Sequence, residues 1–239
     1  MTTTSTAEFN LDLNSLIEEA FERCGAELRT GYDFRTARRS LNLLTIEWAN
    51  RGINLWTLEQ GSIPMVQGQI TYDLPVDTID LLEQVIRTNA GSGPNQIDIN
   101  ITRISADTYI TIPNKNAQGR PIQVWINRRS GADYPVTGVA NPQINVWPAP
   151  DQSNYYTFFY YRLRRIQDAG TNGLVTQDIP FRFLPCLVAG LAYYLSLKIP
   201  GAMERAVALK AMYDEAWQQA ADEDREKAPL RIAPRQYFR

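Results

Sequence analysis

Hydrophobic residues in this chain change their period twice. Up to about Gly52 they recur every three to four positions, from about Leu55 to Asp178 every two, and from there to about Lys227 every three to four again. A helix pair at either end of a chain leaves its apolar stripe open unless helices from elsewhere cover it. The pattern predicts an α+β fold: a four-helix bundle formed by N- and C-terminal helix pairs, discontinuous over residues 1–54 and 178–228, with an inserted antiparallel β domain at 55–177 and an extended C-terminal arm at 229–239. At 239 residues the chain is long enough for a sizeable core.

In the first helix Leu13, Leu16, Ile17, Ala20, Phe21, Cys24 and Leu28 share a face after the cap candidates Asp12 and Asn14, and Thr30-Gly31 breaks the run. The second carries Phe34, Ala37, Leu41, Leu44 and Trp48, starts near Asp33 and stops at Gly52, and the two read as an αα-hairpin. After Asp178, Pro180 suits a first helical position, and an apolar helix runs to about Lys198 before Pro200-Gly201. Its apolar stretch, Phe183 to Leu197, is broken by Pro185 and falls short of the roughly 18–20 residues that cross a bilayer, so it reads as a buried helix. A last helix, about Ala202 to Lys227, points Met203, Ala206, Val207, Tyr213, Ala216, Trp217 and Ala220 inward.

Between the helices, Trp56 to Met65 and Gln69 to Asp73 flank the turn Val66-Gln67-Gly68 as a hairpin that Pro75 closes. Further strands are expected at Leu81 to Thr88, Ile97 to Ile104, Ile122 to Arg128, Gln143 to Trp147 and Tyr155 to Arg165. Gly- and Pro-rich connectors separate them, and a sandwich or rolled sheet is the expected arrangement. Ser105-Ala106-Asp107 can cap a short helical crossing to Ile112, although Thr-Ile-Thr-Ile there favours a strand.

Composition excludes much chemistry. The chain has no His, which removes Ser-His-Asp and Cys-His triads, imidazole proton shuttles and zinc sites that need an imidazole. Cys24 and Cys186 lack CxxC spacing and read as buried, inert thiols. Gly91-Ser92-Gly93-Pro94 ends in Pro without the Lys and helix of a phosphate loop, and is a turn. The carboxylate groups Glu18, Glu19 and Glu22, Asp77, Asp80 and Glu83, and Asp222, Glu223, Asp224 and Glu226 read as solvated faces rather than acid/base pairs. No cofactor, metal or catalytic residue is expected, and the chain is not expected to be an enzyme. The Thr-rich start MTTTSTAEF has no charged n-region or apolar h-region of a signal peptide, which suggests folding in a reducing cytoplasm.

Charge points to interfaces. A net charge of −2 gives no overall pull toward a polyanion, yet 20 of the 24 cations are Arg, with Lys only at 115, 198, 210 and 227. Arg makes planar, bidentate contacts and desolvates readily, so the bias suits a surface that is largely interface; a compositional bias of the genome produces the same skew. Tyr155 to Arg165 interleaves aromatics with Arg162, Arg164 and Arg165, as a nucleic-acid stacking strand would. Its aromatics fall on both faces, however, which favours a central core strand with an Arg-rich end. The arm is the least ordinary segment: Arg231, Arg235 and Arg239 with no acid, alternating with Leu230, Ile232, Tyr237 and Phe238, the composition of anchors that order on docking. The acidic stretch Asp222, Glu223, Asp224 and Glu226 and the basic stretch Arg35, Arg38 and Arg39 are candidates to pair across subunits or within the bundle.

These residues resemble the head-to-tail adaptor proteins of short-tailed bacteriophages, also called tail tubular protein A or head-completion proteins. The resemblance lies in Leu16-Ile17-Glu18-Glu19-Ala20-Phe21, Ala37 to Leu44, Glu47-Trp48, Gly52 to Trp56, Gly68 to Pro75, Ile144 to Pro150 and the closing helices at Leu187 to Ile199 and Leu209 to Arg225. It covers most of the chain, and the order of elements is more specific than any one motif. It implies a homo-oligomeric ring of twelve copies in the virion, at the head-tail interface, made in the host cytoplasm. The arm, with Leu230, Arg231, Ile232, Arg235, Tyr237, Phe238 and Arg239, would dock on the portal protein. Loops of the β domain, including Gly131 to Gly138, would face the tail nozzle protein or tail fibres. Double-stranded DNA would pass through the ring without sequence readout, in keeping with an acidic chain that lacks a basic recognition helix. A nucleic-acid-binding module and a tail-associated cell-wall hydrolase are the alternative readings.

Overall fold

The computed structural model describes residues 8–29, 31–52, 55–129 and 141–224. Among them the helices are α1 (Leu13–Cys24), α2 (Gly31–Arg51), α3 (Ala106–Ile110), α4 (Leu184–Ser196) and α5 (Ala206–Glu223). The strands are β1 (Leu58–Pro64), β2 (Thr71–Asp73), β3 (Thr78–Thr88), β4 (Ile97–Asn100), β5 (Thr102–Ile104), β6 (Gln123–Asn127), β7 (Gln143–Trp147) and β8 (Tyr156–Arg164). The chain divides into a helical unit, Met1–Trp56 with Ile166–Arg239, and a β unit, Thr57–Arg165. Residues Ile166, Ala169 and Ile179, which follow the last strand, are buried in the helical core.

In the helical unit α4 is the centre. Ten of its residues are buried, on every side of the helix, and α1, α2 and α5 each pack on it. The first two helices meet α4 more than each other, so they are not the self-packed hairpin expected from their adjacency. Asp12 starts α1 by accepting the Ser15 N–H at 2.7 Å, and Gly25, at φ 75°, ends it by donating to the Glu22 carbonyl. Pro185 does not interrupt the apolar stretch. It lies in the first turn of α4, where no N–H is needed, and Pro180 instead precedes a separate 3-10 turn at Phe181–Phe183. On α5 the buried stripe is Ala206, Leu209, Tyr213 and Ala220, continued backwards by Ala202. Met203 and Val207, expected inside, lie one position round the helix and face out, Val207 being 82% exposed.

The β unit is two four-stranded sheets, in the order β1-β8-β3-β4 and β2-β7-β6-β5. Their shared core includes Met65, Tyr72, Leu81, Ile86, Val124, Ile144, Val146 and Phe158. The expected hairpin around Val66-Gln67-Gly68 does not form: β1 pairs with β8 from Leu58↔Leu163 to Pro64↔Thr157, while β2 pairs with β7. The turn is a crossing between sheets. Tyr72 holds it, its hydroxyl oxygen accepting the Val66 N–H at 3.0 Å. The single strand expected over Ile97 to Ile104 is likewise divided at buried Ile101, with β4 in one sheet and β5 in the other. Ser105 does cap the short α3, accepting the Thr108 N–H at 3.2 Å. That crossover makes β5 and β6 parallel, so the sheets are not purely antiparallel.

Candidate functional site

The carboxylates singled out by sequence can be placed as far as Asp224. Glu18 and Glu22 are exposed on α1, and Glu19 pairs with Arg23 one turn on at 2.8 Å. In the β unit Asp80 meets Arg103 at 2.9 Å and Arg128 at 3.3 Å, and Glu83 is exposed on β3. Asp77 meets Arg162 at 2.6 Å. Among the described residues no group of three or more His, Cys, Asp or Glu could hold a metal ion. The thiols Cys24 and Cys186 are free and buried. Burial raises them to about 11 and about 12, against the smaller opposing pull of Arg205 and Arg51, so neither is a thiolate near neutrality.

The aromatic and Arg-rich strand is a core strand. β8 runs between β1 and β3, with Tyr156, Phe158 and Tyr160 buried. Phe159 is covered by the Arg87 guanidinium, 3.8 Å from its ring centroid. Its arginines hold the end of the sheet together: Arg162 bridges Glu59 of β1 at 2.6 Å and Asp77 ahead of β3 at 2.6 Å, and Arg164 meets Glu59 at 2.7 Å. Of the aromatics on β8 only Tyr161 is exposed, and a single ring is not the run of stacking positions that a nucleic acid needs.

Burial pushes the Asp77 carboxyl up, but the hydrogen bond and charge of Arg162, with the charge of Arg164, outweigh it and hold the group below its ordinary value. Arg162→Ala is therefore expected to destabilise the β unit by about 2 kcal/mol at neutral pH, less than for a fully buried pair because Glu59 and Asp77 are partly solvated. A lowered carboxylate contributes stability above its unfolded pKa and loses it as pH falls through the folded value. Urea unfolding at several pH values should show the gap begin to close below about pH 4 and go on closing as pH falls through the lowered Asp77 value; a gap that does not narrow at all on acidification would remove the ion pairs as its cause.

A second cluster joins three helices at the Glu47-Trp48 motif. The Trp48 indole donates to the Tyr213 hydroxyl at 2.9 Å, that hydroxyl donates to Glu47 at 3.3 Å, and Tyr194 donates to Glu47 at 2.6 Å. Arg51 pairs with Glu47 and lies 4.6 Å from the Trp217 ring centroid. This knot ties α2, α4 and α5 into one body.

The residues expected at subunit contacts fall differently. Arg35 and Arg39 are exposed on α2, Arg38 is half-buried, and none makes an ion pair among the described residues. Asp222 and Glu223 are exposed at the end of α5, but Asp224 is buried and committed to Arg182 at 2.5 Å. Glu226, the whole arm with Leu230, Arg231, Ile232, Arg235, Tyr237, Phe238 and Arg239, and the Gly131 to Gly138 loop lie outside the described residues. Sequence reading missed two outward faces. One is on α2, where Tyr32, Arg35, Arg39, Leu43 and Ile46 form an exposed stripe at steps of three and four. The other is where the 3-10 turn Met203–Arg205 leads into α5, with Met203 and Val207 exposed four positions apart. The signal for the second was present, since a helix apolar on two sides must meet two partners.

The family model described as SU10 adaptor protein matches residues 11–233. No curated protein matches the chain.

Proposed function

The chain belongs to the SU10 adaptor protein family and is a phage structural adaptor, and from that premise we propose that it forms a homo-oligomeric ring, of twelve copies, that joins the portal to the tail nozzle and lines part of the DNA channel. The role is interfacial rather than catalytic. One observation carries the reading: the helical unit presents two unlike, exposed faces, the Tyr32-Arg35-Arg39-Leu43-Ile46 stripe of α2 and the Met203-Val207 face where a 3-10 turn leads into α5. A ring is built by a heterologous contact, in which one surface of each copy meets a different surface of the next. Large apolar residues with arginines are the composition of such contacts. In this reading Arg35, Arg38 and Arg39 face acidic groups of a neighbour, with Asp222, Glu223 and Glu226 as partners and Asp224 reserved for Arg182. The family also supports a place in the tail of the virion; in our reading the chain is made in the host cytoplasm, the arm at 229–239 binds the portal, and β-unit loops bind the nozzle or fibres.

Light scattering of the full chain tests the ring. Val207→Glu and Leu43→Glu place a charge in an apolar contact and are expected to raise the concentration needed for assembly by about tenfold or more, with circular dichroism unchanged because both sites are exposed. Assembly unaffected by either would discard these faces as the ring contact. Portal binding that survives truncation after Ala228 would overturn the role of the arm.

A further inference from the structure

The helical unit holds a groove of about 1140 Å³ between the segment ahead of α1, α1 itself and the start of α4. Leu11, Leu184, Pro185 and Val188 give it apolar walls. Phe9 and Phe181 also line it, 76% and 75% exposed. The rest of its lining is the neutral Asn10 and Ser15 and a net acidic set, Glu8, Glu18, Glu19 and Glu22 against Arg23, which is already paired with Glu19. Such a trough accepts an extended segment that carries both large apolar side chains and arginines, and it repels an acidic one.

We propose that its occupant is residues 229–239 of the same chain. Three observations converge on that segment. The first is place: Asp224, the last residue the structure describes, is fixed to Arg182, which is the neighbour in sequence of Phe181 in the groove lining. The second is reach: the fifteen residues after Asp224 can extend about 50 Å, whereas α1 is about 18 Å long. The third is complementarity: Arg231, Arg235 and Arg239 stand against the glutamates, and Leu230, Ile232, Tyr237 and Phe238 against the apolar walls, with no acid in the segment. The groove is then a berth for the arm in the free protein. The berth goes beyond the adaptor reading and does not depend on it.

Chymotrypsin tests this on the full chain without any portal, so its outcome is separate from that of the adaptor reading. Cleavage after Tyr237, followed by mass spectrometry, is expected to be at least about tenfold slower than in a synthetic 229–239 peptide, and to accelerate with added salt. Glu18→Arg with Glu22→Arg should bring cleavage to the peptide rate, and adding Arg231→Glu with Arg235→Glu should restore protection. Protection independent of protein concentration assigns the arm to its own chain. The proposal is overturned if Tyr237 is cut at the peptide rate in the unaltered chain, if the glutamate reversals leave protection intact, or if protection disappears on dilution, which would place the arm on another copy.

Discussion

Trp48→Ala is expected to destabilise the helical unit by about 3–5 kcal/mol, as the loss of a fully buried indole does elsewhere. The ring packs between Phe183 and Trp217, with centroids 5.6 and 5.4 Å away, so its removal opens a cavity bordered by α5 and the turn that leads into α4. It also takes away the donor to Tyr213, whose hydroxyl then keeps only Glu47. The remaining Glu47 contacts to Tyr194 and Arg51 limit how far the site can collapse. Trp48→Phe separates the two effects: it keeps most of the apolar volume and should cost about 1–2 kcal/mol for the lost hydrogen bond. Urea unfolding measures both, and a Trp48→Ala cost below about 1 kcal/mol would mean that the knot contributes little.

Gly190→Val should be nearly as damaging, by about 3 kcal/mol. A Cβ at Gly190 would lie 2.9 Å from both Leu44 Cδ2 and Tyr213 Cε2, so α2 and α5 meet α4 where only a hydrogen fits. Gly190→Ala decides whether packing or helix propensity wins. In an ordinary helix interior that change gains about 1 kcal/mol; here the clash with two buried side chains should outweigh the gain and lower the melting temperature. A more stable Gly190→Ala protein would show that Leu44 and Tyr213 can move aside.

Periodicity made the alternation of helical and strand segments legible because it is a local property. The inward face of α1 could be read from Leu13, Leu16, Ile17, Ala20, Phe21 and Cys24 for the same reason. Pairing is non-local, and there the reading stopped. Nothing adjacent to Val66-Gln67-Gly68 reveals that the next strand joins another sheet, or that Ile101 divides one apolar run between two. On α5 the error came from side-chain size: the buried stripe begins with Ala202 and Ala206, while the more hydrophobic Met203 and Val207 face out. Hydrophobicity alone therefore favoured the wrong side of the first turns. The acidic groove was hidden because it combines residues from α1 with residues some 160 positions later, and each part alone looks like a solvated face.

The β unit begins and ends on neighbouring strands, with Leu58 opposite Leu163 in the β1–β8 pair. Its two ends are thus about one strand spacing apart, roughly 5 Å. A cassette whose ends meet can be lengthened, trimmed or exchanged for another of different architecture while the helices that flank it close the same small gap. Selection can therefore act on the two units at different rates. The helical unit can stay fixed while the β unit between its two parts diversifies with whatever partner it must meet.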